Sequence, residues 1–251
     1  MFKRFCTVAA ASCLLSCTVP KPQSNGPSSA TPLPVQPGAG IPATGTPAPG
    51  WPTPNAPAPG TYRIDPSGSE LRLLVYRAGA LASLGHNHVI QNPSVTGSVD
   101  VATTLGASSF SLRAPVAAFI VDDTQARAEE GEDFPGEISD EAKTGTWNNM
   151  TGSAVLNSIQ YPVISVRSTR LEQSLGTLTA ILTVSVAGHE STLSVPFVLS
   201  REAYGLSASA SFELRQSALG LTPFSLMLGA LAVRDAMQVK LKVAAQLEAP
   251  R

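Results

Sequence analysis

Residues Gly205–Arg215 read GLSASASFELR, with an apolar side chain at every even position and, from Ser207 onward, a polar one at every odd position. Successive side chains of an extended strand point to opposite faces, so this pattern describes a strand with one dry face and one wet face. A helical period of 3.6 would scramble the two. The same reading applies to Leu178, Ala180, Leu182, Val184 and Val186 set against Thr177, Thr179, Thr183 and Ser185. It applies again to Met237, Val239, Leu241, Val243 and Leu247 set against Gln238, Lys240, Lys242 and Gln246. Weaker alternation marks residues 69–77, 95–103, 108–119, 162–171 and 191–200. About eight strands with short connections predict one all-β, mainly antiparallel domain over residues 61–251. Its sheet curls into a closed or nearly closed barrel.

Alternation stops between Val121 and Gly152, where nine of the 18 acidic residues fall between Asp122 and Glu141. Ser139 followed by Asp140 and Glu141 has the character of an N-cap with acids in the first helical turn. A short helical insertion is expected there, running to about Asn149 and stopped by Gly152. Its charge run reads as a solvated face, and no Asp-x-Asp-x-Asp-Gly calcium loop is present.

The N-terminus has a different logic. Met1-Phe2-Lys3-Arg4 precedes an apolar run to Leu15, too short to span a bilayer as a finished helix, which is the pattern of a secretory signal over residues 1–16. The run ends in Leu14-Leu15-Ser16-Cys17, similar to the bacterial lipobox, so Cys17 is expected to be lipidated and to become the mature N-terminus. Cys13 is the rival site, but it lacks the leucine at minus three. Thr18 is not an inner-membrane-retaining Asp, which points to a periplasm-facing lipoprotein of the outer membrane. Residues 17–60 then form a Pro/Gly/Ala-rich spacer. Between residues 20 and 60 lie 13 of the 21 prolines, and Lys21 is the only charged side chain. Such a stretch cannot bury enough apolar surface to order itself.

All three cysteines, Cys6, Cys13 and Cys17, lie in or at the edge of the signal, leaving no thiol for a disulfide in the mature domain. The mature formal charge is near −3, with 15 basic against 18 acidic residues. That balance argues against a nucleic-acid partner and against a polybasic grip on anionic lipid.

Catalytic motifs are absent: no Gly-x-Ser-x-Gly elbow, no Walker loop and no cysteine nucleophile in the mature chain. His189-Glu190 begins like a zinc-protease helix but has no second histidine and sits between two strand patterns, as a hairpin turn. The remaining histidines fall in Ser83-Leu84-Gly85-His86-Asn87-His88. On an extended segment His86 and His88 share a face and can offer two ligands to one metal ion, fewer than a zinc site takes from protein. They equally suit the polar mouth of a binding pocket, or a turn in which they bond to backbone. The apolar segment Leu221–Leu231, with Pro223, Phe224, Met227 and Leu228, does not alternate and reads as a loop or short helix closing one end, or as ordinary core.

From Tyr62-Arg63-Ile64-Asp65 to the C-terminus the chain resembles the YceI-like family of bacterial periplasmic, polyisoprenoid-binding proteins. The resemblance rests on that opening, on the Gly85–His88 segment followed by Gly97, and on Phe119-Ile120-Val121-Asp122-Asp123 with Arg127 and Asp133-Phe134 downstream. It continues through Tyr161-Pro162-Val163-Ile164-Ser165-Val166-Arg167-Ser168, the Gly188 hairpin, Leu221-Thr222-Pro223-Phe224-Ser225 and Gly229–Asp235. It implies a lipocalin-like barrel holding an amphipathic isoprenoid quinone or polyprenyl lipid, without catalysis. His86, His88, Phe119, Phe224, Met227 and Leu228 are the candidate ligand-binding residues. The two rival readings are a metal-binding or redox-linked barrel using His86 and His88, and a structural or stress-protective barrel with no tight ligand.

Overall fold

The computed structural model describes residues 50–51, 56–202 and 205–249. The expected signal (1–16), Cys17 and most of the 17–60 spacer lie outside the described residues. The first half of the domain contributes β1 (Gly60–Val75), β2 (Arg77–Ala78), β3 (His88–Asn92), β4 (Thr96–Val101), β5 (Ser109–Pro115) and β6 (Ile120–Val121). Two helices follow, α1 (Thr124–Glu130) and α2 (Asp140–Thr151). The second half contributes β7 (Val163–Ser174), β8 (Thr177–Val186), β9 (His189–Glu202), β10 (Gly205–Arg215), β11 (Ser225–Leu226), β12 (Leu231–Val233) and β13 (Ala236–Leu247).

Eight strands form the expected antiparallel barrel in the order β1-β4-β5-β7-β8-β9-β10-β13. It closes where β13 returns to β1, from Tyr62↔Leu247 to Leu74↔Gln238, across an irregularity between Asp65 and Glu70. Full closure leaves no sheet edge at this join. The alternation read in β8 is realised directly: Leu178, Ala180, Leu182, Val184 and Val186 are buried and the residues between them are not. β3 takes the C-terminal half of β1 (Val75↔His88 to Leu71↔Asn92), while β4 takes the N-terminal half (Gly60↔Val101 to Arg63↔Ser98). A break at Pro93 lets one hairpin arm serve as both.

Two local expectations change. The acidic segment forms two helices. Asp123 Oδ1 caps α1 by accepting from Ala126 N at 3.0 Å, and Ser139 Oγ caps α2 by accepting from Ala142 N at 3.3 Å. Leu221–Leu231 forms neither a helix nor a plain loop. β11 and β12 pair around a Met227–Gly229 turn, and β12 pairs with β2 to make a separate three-stranded ribbon. The turn needs positive φ at Met227, Leu228 and Gly229, a backbone feature that apolar composition does not announce.

α1 is bolted to the outside of the barrel through Glu130, which accepts from Arg72 of β1 at 2.9 Å and pairs with Lys240 of β13. On β4, Gly97 has φ +146°, and an added Cβ would lie 2.0 Å from the Ser111 carbonyl oxygen. Strain and overlap together predict that Gly97→Ala lowers stability by about 2–4 kcal/mol. Urea unfolding followed by circular dichroism reads this as a fall in midpoint at unchanged slope.

Candidate functional site

The inward faces of the strands do not meet at the barrel axis. They leave a cavity of about 220 Å³ whose lining is apolar apart from Ser209 and includes Phe110, Phe119, Phe197 and Phe212. At one end Trp51 joins the lining, held by its indole N–H donating to the Ala102 carbonyl at 2.9 Å. At the other end lies a second chamber, also about 220 Å³, which shares Leu73, Phe119, Ile164 and Met237 with the first. This chamber is partly polar, and His86, His88, Arg77, Asn149 and Gln216 line it beside Met150 and Phe224. A long dry space ending in a few polar groups suits a molecule with an apolar tail and a small polar head.

One of those groups is held with care. His88 Nδ1 lies 2.6 Å from Asp122 Oδ2. The Asp122 carboxylate is fully buried, and its Oδ1 accepts from Val89 N at 2.9 Å and from Arg127 Nη1 at 2.6 Å. Arg127, 3 % exposed, also donates to the carbonyls of Asn87, Pro135 and Gly136, and its guanidinium lies over the buried Phe134 ring. Burial alone would push the Asp122 carboxyl up; the hydrogen bonds from His88, Val89 and Arg127 and the charge on His88 outweigh it and hold the group below its ordinary value. Asp122 therefore acts as a fixed acceptor. It orients the imidazole and leaves His88 Nε2 as the ring nitrogen free for the chamber.

The candidate residues separate in space. Phe119 is buried at the junction of cavity and chamber, and His86, His88 and Phe224 line the chamber. Met227 and Leu228 do neither, nor are they core: they are 72 % and 108 % exposed at the tip of the β11–β12 ribbon. The His86 and His88 rings meet edge-on at 6.4 Å between centroids. Among the described residues no three His, Cys, Asp or Glu side chains gather as a metal site. His189 begins β9 after the Ala187-Gly188 turn, on the hairpin expected for it.

The largest departure concerns the acidic segment. Its charges are not all solvated, because Asp122 and Arg127 sit in the interior and the Glu130 side chain is 5 % exposed. Sequence reasoning missed this centre because its members, His88, Asp122 and Arg127, come together only by tertiary pairing. The available signal was an arginine five residues beyond an aspartate, on a segment entered by the apolar Phe119-Ile120-Val121.

Comparison with known proteins agrees with this architecture. No curated protein matches the chain significantly. Among solved structures, BcnA of Burkholderia cenocepacia superposes with a TM-score of 0.54 at 14% identity, covering 73% of this chain and 99% of its own. A polyisoprenoid binding domain from Saccharophagus degradans, implicated in plant cell wall breakdown, superposes with a TM-score of 0.50 at 11% identity, covering 74% and 98%. At these identities the likeness is one of fold. The YceI-like domain matches residues 62–245, from Tyr62 in β1 to Ala245 in β13 and so across all eight barrel strands, and the chain therefore belongs to the YceI-like domain family.

Proposed function

We propose that this protein is a lipoprotein of the bacterial envelope whose barrel holds an amphipathic ligand with a long isoprenoid-type chain, a quinone or polyprenyl lipid, and does not transform it. The carrying observation is an apolar cavity that shares Leu73, Phe119, Ile164 and Met237 with the neighbouring chamber in which His88 stands. The tail occupies the cavity, where each buried methylene contributes about 0.8 kcal/mol. The head group lies against His86 and His88. The ligand class described for the Saccharophagus degradans domain supports the same reading. Asp122 is engaged by Arg127 and Val89 and kept ionised, which suits orientation of a ligand better than proton abstraction. Envelope location rests on the signal pattern and on Cys17, through which the membrane is the second partner; nucleic acid is not one.

The test is native mass spectrometry of the full chain, recovered from a bacterial envelope without added metal, followed by organic extraction. An extra mass of several hundred daltons that moves into the organic phase is the expected result. A chain that stays at its bare mass after incubation with polyprenol and with ubiquinone vesicles overturns the reading. His88→Ala removes one hydrogen bond to the head and is expected to weaken binding about tenfold by fluorescence titration; it also leaves the buried Asp122 Oδ2 without its partner, so a lower melting temperature with a still cooperative transition is expected beside it.

A further inference from the structure

The barrel wall is incomplete between β9 and β10. β10 pairs with β13 along its whole length, Gly205↔Gln246 to Arg215↔Ala236. β9 pairs with β8 from Val186↔His189 to Leu178↔Phe197. Yet β9 and β10 share only five paired positions, Gly205↔Glu202 to Ser209↔Val198. Beyond these, residues 192–197 of one strand stand opposite 210–215 of the other with no ladder between them.

Several independent features mark this gap as a window with a frame. Pro196 stands just past the last pair. Counting alternate hydrogen-bonded pairs from the Val186–His189 hairpin end, its nitrogen faces β10, where proline has no hydrogen to donate. At the far end the His189 imidazole sits against Gly220, where an added Cβ would lie 2.7 Å from His189 Cγ. The intervening Gln216–Leu219 turn is fixed by Asp235, which accepts from Ser217 N at 2.8 Å and from Ser217 Oγ at 2.6 Å. The third histidine thus belongs to the frame.

The inward-facing side chains beside the gap tell the same story. Leu193, Phe197, Ala210, Phe212 and Leu214 are only half-buried, with Val195 alone buried among them, whereas the inward face of the fully paired β8 is buried throughout. Outside the wall runs a groove of about 750 Å³, rimmed by Glu70, Arg72, Glu130, Lys240 and Lys242. The groove and the interior cavity have Phe197, Ser209, Ala210 and Leu241 in common. The partition between them is therefore one residue thick, and on β10 it is built of alanine and serine. Both barrel ends are meanwhile furnished, by Trp51 at one and by Met150, Leu156 and Phe224 at the other.

We propose that the apolar chain of the ligand enters and leaves the cavity sideways, through this window between β9 and β10. The proposal rests on the reading of the cavity as a chain-binding site. Widening the gap separates two stretches that share no ladder, whereas opening the wall across a paired stretch breaks a row of backbone hydrogen bonds. Strand addition by another polypeptide is a poorer use of the same edge, because Pro196 interrupts its donors.

The test uses the full chain with Cys6→Ser, Cys13→Ser and Cys17→Ser, carrying Ser194→Cys and Glu213→Cys on the outer face across the window. A short bis-maleimide joins them, and stopped-flow fluorescence follows a geranylgeranyl chain bearing an anthraniloyl label. Closing the window is expected to slow association and dissociation alike, by about tenfold or more, and to leave Kd within about twofold. The same reagent across the already paired positions Glu172→Cys and Thr179→Cys should change neither rate. Ser211→Trp, which covers the window from the groove without cross-linking, is the second variant and should slow both rates in the same way. Unchanged exchange in the joined chain and in Ser211→Trp overturns lateral passage while leaving the carrier reading intact. Failure of the unjoined chain to bind the probe overturns both.

Discussion

Asp122→Ala is expected to cost about 3–5 kcal/mol of folding free energy, because it leaves the Arg127 guanidinium buried without its counter-charge. Arg127 is 3 % exposed, and its other donors are already committed to the Asn87, Pro135 and Gly136 carbonyls. The substitution also strips an acceptor from His88 and from the Val89 amide. A loss of this size is a large share of the about 5–15 kcal/mol that holds a typical domain together. Urea unfolding at neutral pH reads it directly, and a loss under about 1 kcal/mol would show that the centre is hydrated rather than structural. The pH dependence has a definite sign. The folded Asp122 carboxyl titrates below its ordinary value of 3.8, so its contribution is complete above that value. It is lost as pH falls through the lower folded value. The gap in stability between the native chain and Asp122→Asn should accordingly narrow under strong acid.

Leu182→Trp is expected to abolish tight binding of a polyprenyl chain while leaving the barrel folded. Leu182 faces the cavity from the middle of β8, and the larger side chain adds six heavy atoms to space that the ligand would fill. At about 0.8 kcal/mol per displaced methylene, the loss is about 4–5 kcal/mol, or a thousandfold or more in Kd. Titration with the labelled geranylgeranyl probe measures it, and a cooperative melt checks the fold. Affinity within about tenfold of the native chain would place the tail outside the cavity and return the weight to a barrel that holds nothing tightly.

Much of the wall is written locally. The alternation in Gly205–Arg215 and in Thr177–Val186 is recovered almost residue by residue, because the pleat alone decides which side chain faces inward. Ser139 and Gly152 frame α2 for a similarly local reason: cap hydrogen bonds join residues three or four apart. Where the pattern was faint the reading fell short. The first part of β1, residues 60–68, carries Pro66 and Gly68 and shows little alternation, and β3 hides behind the glycine and histidines that precede it.

The candidate site was legible as a set of residue types, but its arrangement was not. His86 and His88 stood out by their rarity, and Phe119 and Phe224 by their setting, yet Met227 and Leu228 have equally apolar surroundings in sequence and end up in solvent. Which apolar residue reaches the cavity depends on how the ribbon folds back, and that is set by positive φ at its tip.

The sequence by itself determined an antiparallel β domain behind a proline-rich segment, with the inward and outward residues of its regular strands, because these follow from a period of two and from composition. Only the tertiary structure decided that Asp122 and Arg127 are interior charges serving His88, that Trp51 joins the cavity lining, and that β9 and β10 pair over only part of their length. Each of these depends on what a residue meets across the barrel. A charge is solvated or buried, and a strand edge paired or open, according to partners far away in the chain.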